Sequence, residues 1–287
     1  MTSGSDRSVT NEEPQPGRVY FALLGAKGPF RSDIAVAKGI EAEYGAHGLN
    51  AKASAWSARH CAERMVYDLA AHHGVDQFLD VGCGLPLEPD IHQIARHESS
   101  DVRVVLVDND PIVADHWDVE LSVSPADHVR FLAADMTDPE SVLNSPQVTE
   151  MLDLSRPVGL LFNNILPFVP DTSRPHDVVA RYVEVLAPGS YMTLNHPTGD
   201  VRDMGRVADV YNGNSGDGPL HLRDRESILR FFDGMELLAP GLVMSHSWRP
   251  DILVPHIPGT AMRPHVDSLG IDDISDSKWA AVARKPA

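Results

Sequence analysis

Two runs, QFLDVGCGLP at Gln77–Pro86 and VRVVLVDNDP at Val102–Pro111, decide how this chain is read. Phe78 to Val81 is a short apolar run that stops at Gly82-Cys83-Gly84, as a buried strand feeding a tight turn does. Glycine serves such a turn twice. It takes positive φ, and its missing side chain lets a ligand lie against the backbone. The second apolar run ends in Asp108, after a stretch of helix-like sequence. Strand, glycine turn, helix and strand, closed by an acidic residue that can take ribose hydroxyls, is the layout of a nucleotide-binding βαβ unit.

Two details separate this turn from a dinucleotide site. Leu85-Pro86-Leu87 follows Gly84, so the third glycine of G-x-G-x-x-G is absent, and the acidic Asp80 precedes Gly82. A carboxylate there repels a pyrophosphate, which a dinucleotide site must bring close. It suits a ligand with a cationic head, such as the amino and sulfonium groups of S-adenosylmethionine. The bland alternative is an α/β domain whose glycines only serve a tight turn.

Composition narrows the partners. The chain has 287 residues, with 24 Lys plus Arg against 41 Asp plus Glu, a formal charge of −17. A surface that acidic repels phosphate backbones and anionic lipids, so no nucleic acid and no membrane is expected as substrate or partner. The two cysteines, Cys61 and Cys83, form no ligand cluster, and His256 and His265 lack partners at metal-ligand spacing, so no metal is expected. The N-terminus is polar without a signal-like apolar region, and no run reaches transmembrane length; a soluble, cytoplasmic protein is the expectation.

Along the chain, residues 1–16 read as a disordered tail rich in Ser, Glu and Pro. Residues 17–53 read as an added N-terminal helical lobe, apolar and aromatic at first, with Gly25 and Gly28 as punctuation. It comes too early to belong to the sheet, so it should close over the site as a lid; pairing two subunits as a homodimer is the other use of such a surface. Residues 54–287 then alternate strand and helix. Helices are expected over Ser54–His73, about 89–95, 111–121, 177–186 and 199–211, with strands at Val129–Ala133, Val158–Phe162, Ser190–Leu194 and Met235–Leu238. Tyr211–Pro219 is glycine-rich and reads as a mobile lid edge, and Lys278–Arg284 as an antiparallel edge strand. This is an α/β fold with a doubly wound sheet. In such sheets ligands bind beyond the carboxyl ends of the strands. The residues landing there are Gly82–Gly84, Asp108-Asn109, Asp135-Met136, Asn163-Asn164 and Asn195-His196, all polar or glycine apart from Met136.

FLDVGCGLP at 78–86, VLVDNDPIV at 105–113, AADMTDPESVL at 133–143, LAPGSYMTLNH at 186–196 and FFDGMELLAPGLV at 231–243 resemble the class I S-adenosylmethionine-dependent methyltransferases. More narrowly, they resemble the actinobacterial S-adenosyl methyltransferase family formerly catalogued as a domain of unknown function. The resemblance implies a seven-stranded Rossmann-like methyltransferase sheet with a reversed last hairpin. It also implies that Asp80, Gly82, Cys83 and Gly84 lie along the methionine part of the cofactor, Asp108 and Asn109 at the ribose, and Asp135 with Met136 at the adenine edge. The sequence departs from the family pattern at Asn163-Asn164 and at Pro167, where a histidine is usual, and at Asn195-His196. These departures cluster where substrate should sit.

The expected activity is methyl transfer to a small-molecule acceptor, in specialised metabolism. His196 is the candidate general base, because imidazole titrates near neutrality; its alternative is a histidine that hydrogen-bonds loop backbone. Asn164 could orient a polar acceptor and Asn163 could bind the cofactor or cap the loop. Tyr20, Phe30 and Asn195 are the expected substrate contacts, with Phe21 and Trp56 as further aromatic candidates. A cofactor-retaining enzyme of non-methyl chemistry, cyclisation or elimination, and a non-catalytic binding protein are the competing functions.

Overall fold

The apolar runs become the strands of one central sheet. The structure is a computed structural model that describes residues 13–213, 219–260, 264, 268 and 270–287. Parallel strands β1 (Gln77–Val81), β2 (Arg103–Asp108), β3 (Val129–Ala133), β4 (Gly159–Asn163) and β5 (Tyr191–Pro197) stand in the order β3-β2-β1-β4-β5. Two short strands, β6 (Glu236–Leu237) and β7 (Val243–Met244), both pair with β8 (Lys278–Arg284), which runs antiparallel to β5. β8 is therefore interior, where the sequence reading put an edge strand. Ala280 to Ala283 are buried on both faces, the pattern of a central strand whose small residues let two layers approach.

Among the described residues the α-helices are α1 (Pro16–Leu23), α2 (Arg31–Ala46), α3 (Ala51–His73), α4 (Ile91–Glu98), α5 (Pro111–Val123), α6 (Pro139–Leu143), α7 (Pro146–Met151), α8 (Pro175–Val185), α9 (Gly205–Asn212), α10 (Arg225–Leu229) and the single turn α11 (Asp273–Asp276). Their starts follow from the sequence. Asn50 caps α3 by accepting from the backbone N–H of Lys52 and Ala53, and Asp110, Asp138 and Asp224 cap α5, α6 and α10 in the same way. Gly74, at φ 67°, ends α3 in the left-handed conformation.

Successive residues of each strand face opposite sides, and both sides are apolar. Phe78, Val104, Leu106, Leu161 and Val282 pack with Met65 and Leu69 of α3, Ile94 of α4 and Trp117 of α5. Leu79, Val81, Val105, Leu160, Phe162, Met192 and Leu194 pack with Val142, Val148, Val179 and Tyr182 from α6 to α8. A third cluster, Val19, Leu23, Val36, Ile40 and Tyr44, joins α1 and α2 to Met204 and to Val207 and Tyr211 of α9. That is the N-terminal lobe. Its expected boundary at residue 53 falls inside α3, and α9 completes it from far along the chain. The lobe begins earlier than expected as well: Pro14 is buried and α1 starts at Pro16, while residues 1–12 of the anticipated tail lie outside the described residues. The helix expected from Gly199 begins at Gly205. Of the expected mobile segment, residues 214–218 lie outside the described residues.

Candidate active site

The sheet order reverses between β1 and β4, and a cleft opens there at the carboxyl ends of the strands. Its floor is the glycine turn. Gly82 and Cys83 both donate to Val107 O, at 2.8 and 3.1 Å, which ties the turn to β2. Gly82 (φ 77°) and Gly84 (φ 69°) are left-handed, as expected of the turn. Their missing side chains serve the protein's own packing too. A Cβ on Gly82 would stand 2.6 Å from Ile165 Cβ, and one on Gly84 would stand 3.0 Å from the Phe21 ring.

Asp108 is fixed by the same turn. Its two carboxylate oxygens accept one backbone N–H each, from Gly84 (2.9 Å) and Asp110 (3.0 Å). Burial raises its pKa against those bonds. Asn109 and Asp108 sit on the wall shared by two adjoining cavities, of about 210 and 270 Å³. Neither alone reaches the ~300–1,000 Å³ of an ordinary small-molecule site, but the shared wall makes them one cleft. Asp135 and Met136 line the β3 end of it.

Asp80 lines the other end and is buried. Desolvation, reinforced by the charges of Asp90 and Asp108, pushes its pKa up to about 7, although Arg59 pulls the other way. Arg59 projects from α3 into the same wall. It donates to Glu63 Oε1 (2.7 Å), Leu87 O (3.2 Å) and Pro89 O (2.9 Å), while no described residue takes its Nη1. The sequence reading missed Arg59. A charged i, i+4 pair, Arg59 and Glu63, inside the apolar stripe of Ala58, Ala62 and Met65 was the available signal.

Beyond Asp80 the cleft becomes apolar under the lobe, walled by Tyr20, Ile40, Tyr44, Val207 and Tyr211. α3 runs along one side and holds three of the lining side chains on its carbonyls. Tyr20 Oη donates to Ala55 O (3.1 Å), Asn195 Nδ2 to Ala58 O (3.3 Å), and Lys278 Nζ to Ser54 O (3.2 Å) as well as to Ser54 Oγ. Asn163 also lines the cleft and accepts from Thr193 Oγ1 at 3.4 Å. Asn164, left-handed at φ 60°, donates its backbone N–H to Asn195 O at 3.2 Å. Asn164 Oδ1 and Asn195 Oδ1 are both buried without a hydrogen-bond partner.

Two expected site residues are not in the cleft. His196 follows Asn195 on β5 and so points to the opposite face of the sheet, where its ring stacks with Phe231. Its Nδ1 donates to Pro197 O (2.7 Å), which makes Nε2 the acceptor for Arg223 Nη1 (3.1 Å). Burial drives its pKa down to about 3. Neutral, enclosed and with both nitrogens engaged, it cannot serve as the general base. Arg223 goes on to Leu166 O and Val169 O, so the pair pins the loop that follows β4. Phe30 is the second correction. It is the N-cap of α2, and its ring lies under the Arg18 guanidinium, 5.3 Å from the centroid, outside the cleft wall. Trp56 packs against His60 in a tilted ring pair and is no part of the wall either.

Arg18, unremarked in the sequence, anchors the lobe. Wholly buried, it donates to Asp33 (3.1 Å) on α2, to Asp110 (2.7 Å) at the cap of α5 and to Glu13 O (2.7 Å). This ties α1, with Pro16, Gly17 and Tyr20 of the cleft wall, to the loop that follows Asp108 at the end of β2.

The model of the S-adenosyl methyltransferase family matches residues 2–286. A crystal structure of a methyltransferase candidate from Thermobifida fusca YX is 32% identical, covering 100% of both chains, with a TM-score of 0.83. A DUF574 family protein from Streptomyces avermitilis MA-4680 is 33% identical, covering 96% of this chain and 99% of its own, with a TM-score of 0.84. No curated protein matches the chain. Glycine turn, sheet order and full-length match agree: the chain belongs to the S-adenosyl methyltransferase family, and is an S-adenosylmethionine-dependent methyltransferase.

Proposed function

We propose that this methyltransferase acts on a small-molecule acceptor that occupies the apolar end of the cleft. The observation that carries this reading is continuity. The cleft runs from Asp108, past Asp80 and Gly82, into a chamber walled by Tyr20, Ile40, Tyr44 and Tyr211. A chamber roofed by helices takes a compact guest with an aromatic or aliphatic body, of the kind specialised metabolism supplies. The formal charge of −17 weighs against a nucleic acid.

The residues present fit the cofactor. Each Asp108 oxygen keeps a lone pair beyond its backbone bond, and the pair suits the two ribose hydroxyls. Asp135 and Met136 would take the adenine edge. No described residue gives Asp80 a counter-charge in hydrogen-bond contact, so it would take the amino group, with Nη1 of Arg59, which no described residue takes, for the carboxylate. S-adenosylmethionine, when bound, supplies an electrophilic methyl group on a sulfur that leaves as a neutral thioether. This chain's residues would then hold the acceptor in line and keep water out, which is where much of the acceleration in such a displacement arises.

The test is S-adenosylhomocysteine release with a panel of small aromatic and aliphatic metabolites beside oligonucleotide and protein acceptors. Release driven by the polymers alone would refute the reading. Substrate consumption without the by-product would favour non-methyl chemistry.

A further inference from the structure

We propose that the acceptor presents an amino group to the side-chain oxygens of Asn164 and Asn195, so that nitrogen is the methylated atom; this rests on the reading of the chamber as the acceptor site. Both residues line the cavity, and both Oδ1 atoms are buried with no partner. A buried amide oxygen left unpaired is unfavourable, so two on adjoining strand ends mark a place where a guest should donate.

The orientation of the Asn195 amide is fixed by its neighbour. Ala58 O can only accept, so Asn195 must turn Nδ2 toward it at 3.3 Å and leave Oδ1 over. Asn164 Oδ1 is the second such atom, buried at the end of β4 without a hydrogen-bond partner. The two residues are neighbours, joined by the bond from Asn164 N to Asn195 O.

Two buried acceptors on neighbouring residues select the guest. A hydroxyl offers one hydrogen for two oxygens, and it needs a base to become a good nucleophile. Among the described residues the cavity offers none to spare. His196 faces away, Asp110 is paired with Arg18, and Lys278 is held by Ser54 and Asp276 O. Asp108 and Asp80 lie at the end of the cleft proposed for the cofactor. A neutral amino group gives one hydrogen to each oxygen and keeps its lone pair. Transfer then balances without a base on the protein. The lone pair forms the N–CH3 bond as the C–S pair returns to sulfur, and the resulting ammonium gives a proton to water.

The experiment is binding of matched probes, aniline, N,N-dimethylaniline and phenol, to S-adenosylhomocysteine-saturated protein by ligand-observed NMR. Each neutral hydrogen bond is worth roughly 2- to 10-fold in affinity, so aniline should bind about 5- to 100-fold more tightly than its dimethyl counterpart. Phenol should fall between them. Asn164→Gly suits the left-handed backbone, and Asn195→Val keeps a strand-compatible volume. Each should remove part of the preference and the double variant all of it, with S-adenosylhomocysteine affinity within about twofold of the parent. Equal binding of aniline and dimethylaniline, phenol bound most tightly, failure of aniline to bind at millimolar concentration, or a preference that survives the double variant would each overturn the proposal. None of these touches the methyltransferase assignment, which fails only if the cofactor itself does not bind.

Discussion

Replacing Asp80 by Asn should make cofactor affinity lose its dependence on pH. Asp80 is a buried carboxyl among like charges, and its pKa stands near 7 in the free protein. A cationic ligand beside it binds the ionised form, so binding lowers that pKa and affinity is fully developed above it. As pH falls through 7, a proton must first be removed, and affinity drops by up to about tenfold per unit. From about pH 8 to about pH 5.5 the parent should therefore lose roughly 30-fold in affinity on account of this one group. Asp80→Asn removes a charge-assisted contact of roughly 1.5–3 kcal/mol at pH 8, about 10- to 150-fold. By about pH 5.5 the gap between parent and variant should shrink to a few-fold. Calorimetric titration of both proteins across this range reads the ratio directly, and any titration of the ligand cancels in it. Stability should move the other way. A raised carboxyl pKa favours folding at low pH, and that contribution is lost as pH rises through 7. Ligand-free Asp80→Asn should melt higher than the parent at pH 8, with the gain fading toward pH 4. A constant affinity ratio, or a variant less stable at pH 8, would refute the assignment of Asp80 to the cationic end of the cofactor.

Arg18→Leu leaves the buried carboxylate of Asp33 and the part-buried one of Asp110 facing no guanidinium and should cost about 3–5 kcal/mol, most of it local to the lobe; hydrogen exchange should show α1 and α2 opening while β1, β2 and β4 stay protected, and uniform loss of protection would argue against a separable lobe. Asp108→Ala should weaken S-adenosylhomocysteine binding about ten- to a hundredfold through two lost charge-assisted bonds, read by calorimetry on a variant whose melting has been checked. His196→Gln should lower melting by breaking the link to Arg223, yet leave the acid limb of the pH–rate profile where it was; disappearance of that limb would restore His196 as the base.

How much of this was legible in the sequence can be judged strand by strand. The glycine turn and acidic strand ends proposed for the cofactor were, because each leaves a local mark. Gly82 and Gly84 must take positive φ, Asp80 breaks an apolar run, and Asp108 ends one. The residues proposed for the acceptor were not, because they are defined by direction more than by type. Tyr191, Thr193 and Asn195 share one face of β5, and Met192, Leu194 and His196 share the other. The pleat alone says that Asn195 and His196 cannot both enter the cleft. Which of them does depends on where α3 lies, and both faces of β5 are buried, so hydropathy gives no vote. Arg18 and Phe30 failed for a related reason. In an amphipathic segment an arginine reads as solvated and a phenylalanine as pocket or core, and only the partners reverse this: Asp33 and Asp110, 15 and 92 residues from Arg18, draw the guanidinium inside and the ring beneath it. The two asparagine oxygens extend the same point. An asparagine at a strand end is ordinary in sequence; what makes these two informative is that Ala58 O holds the nitrogen of Asn195 and that both side-chain oxygens are buried without a partner, as acceptors that a guest can satisfy.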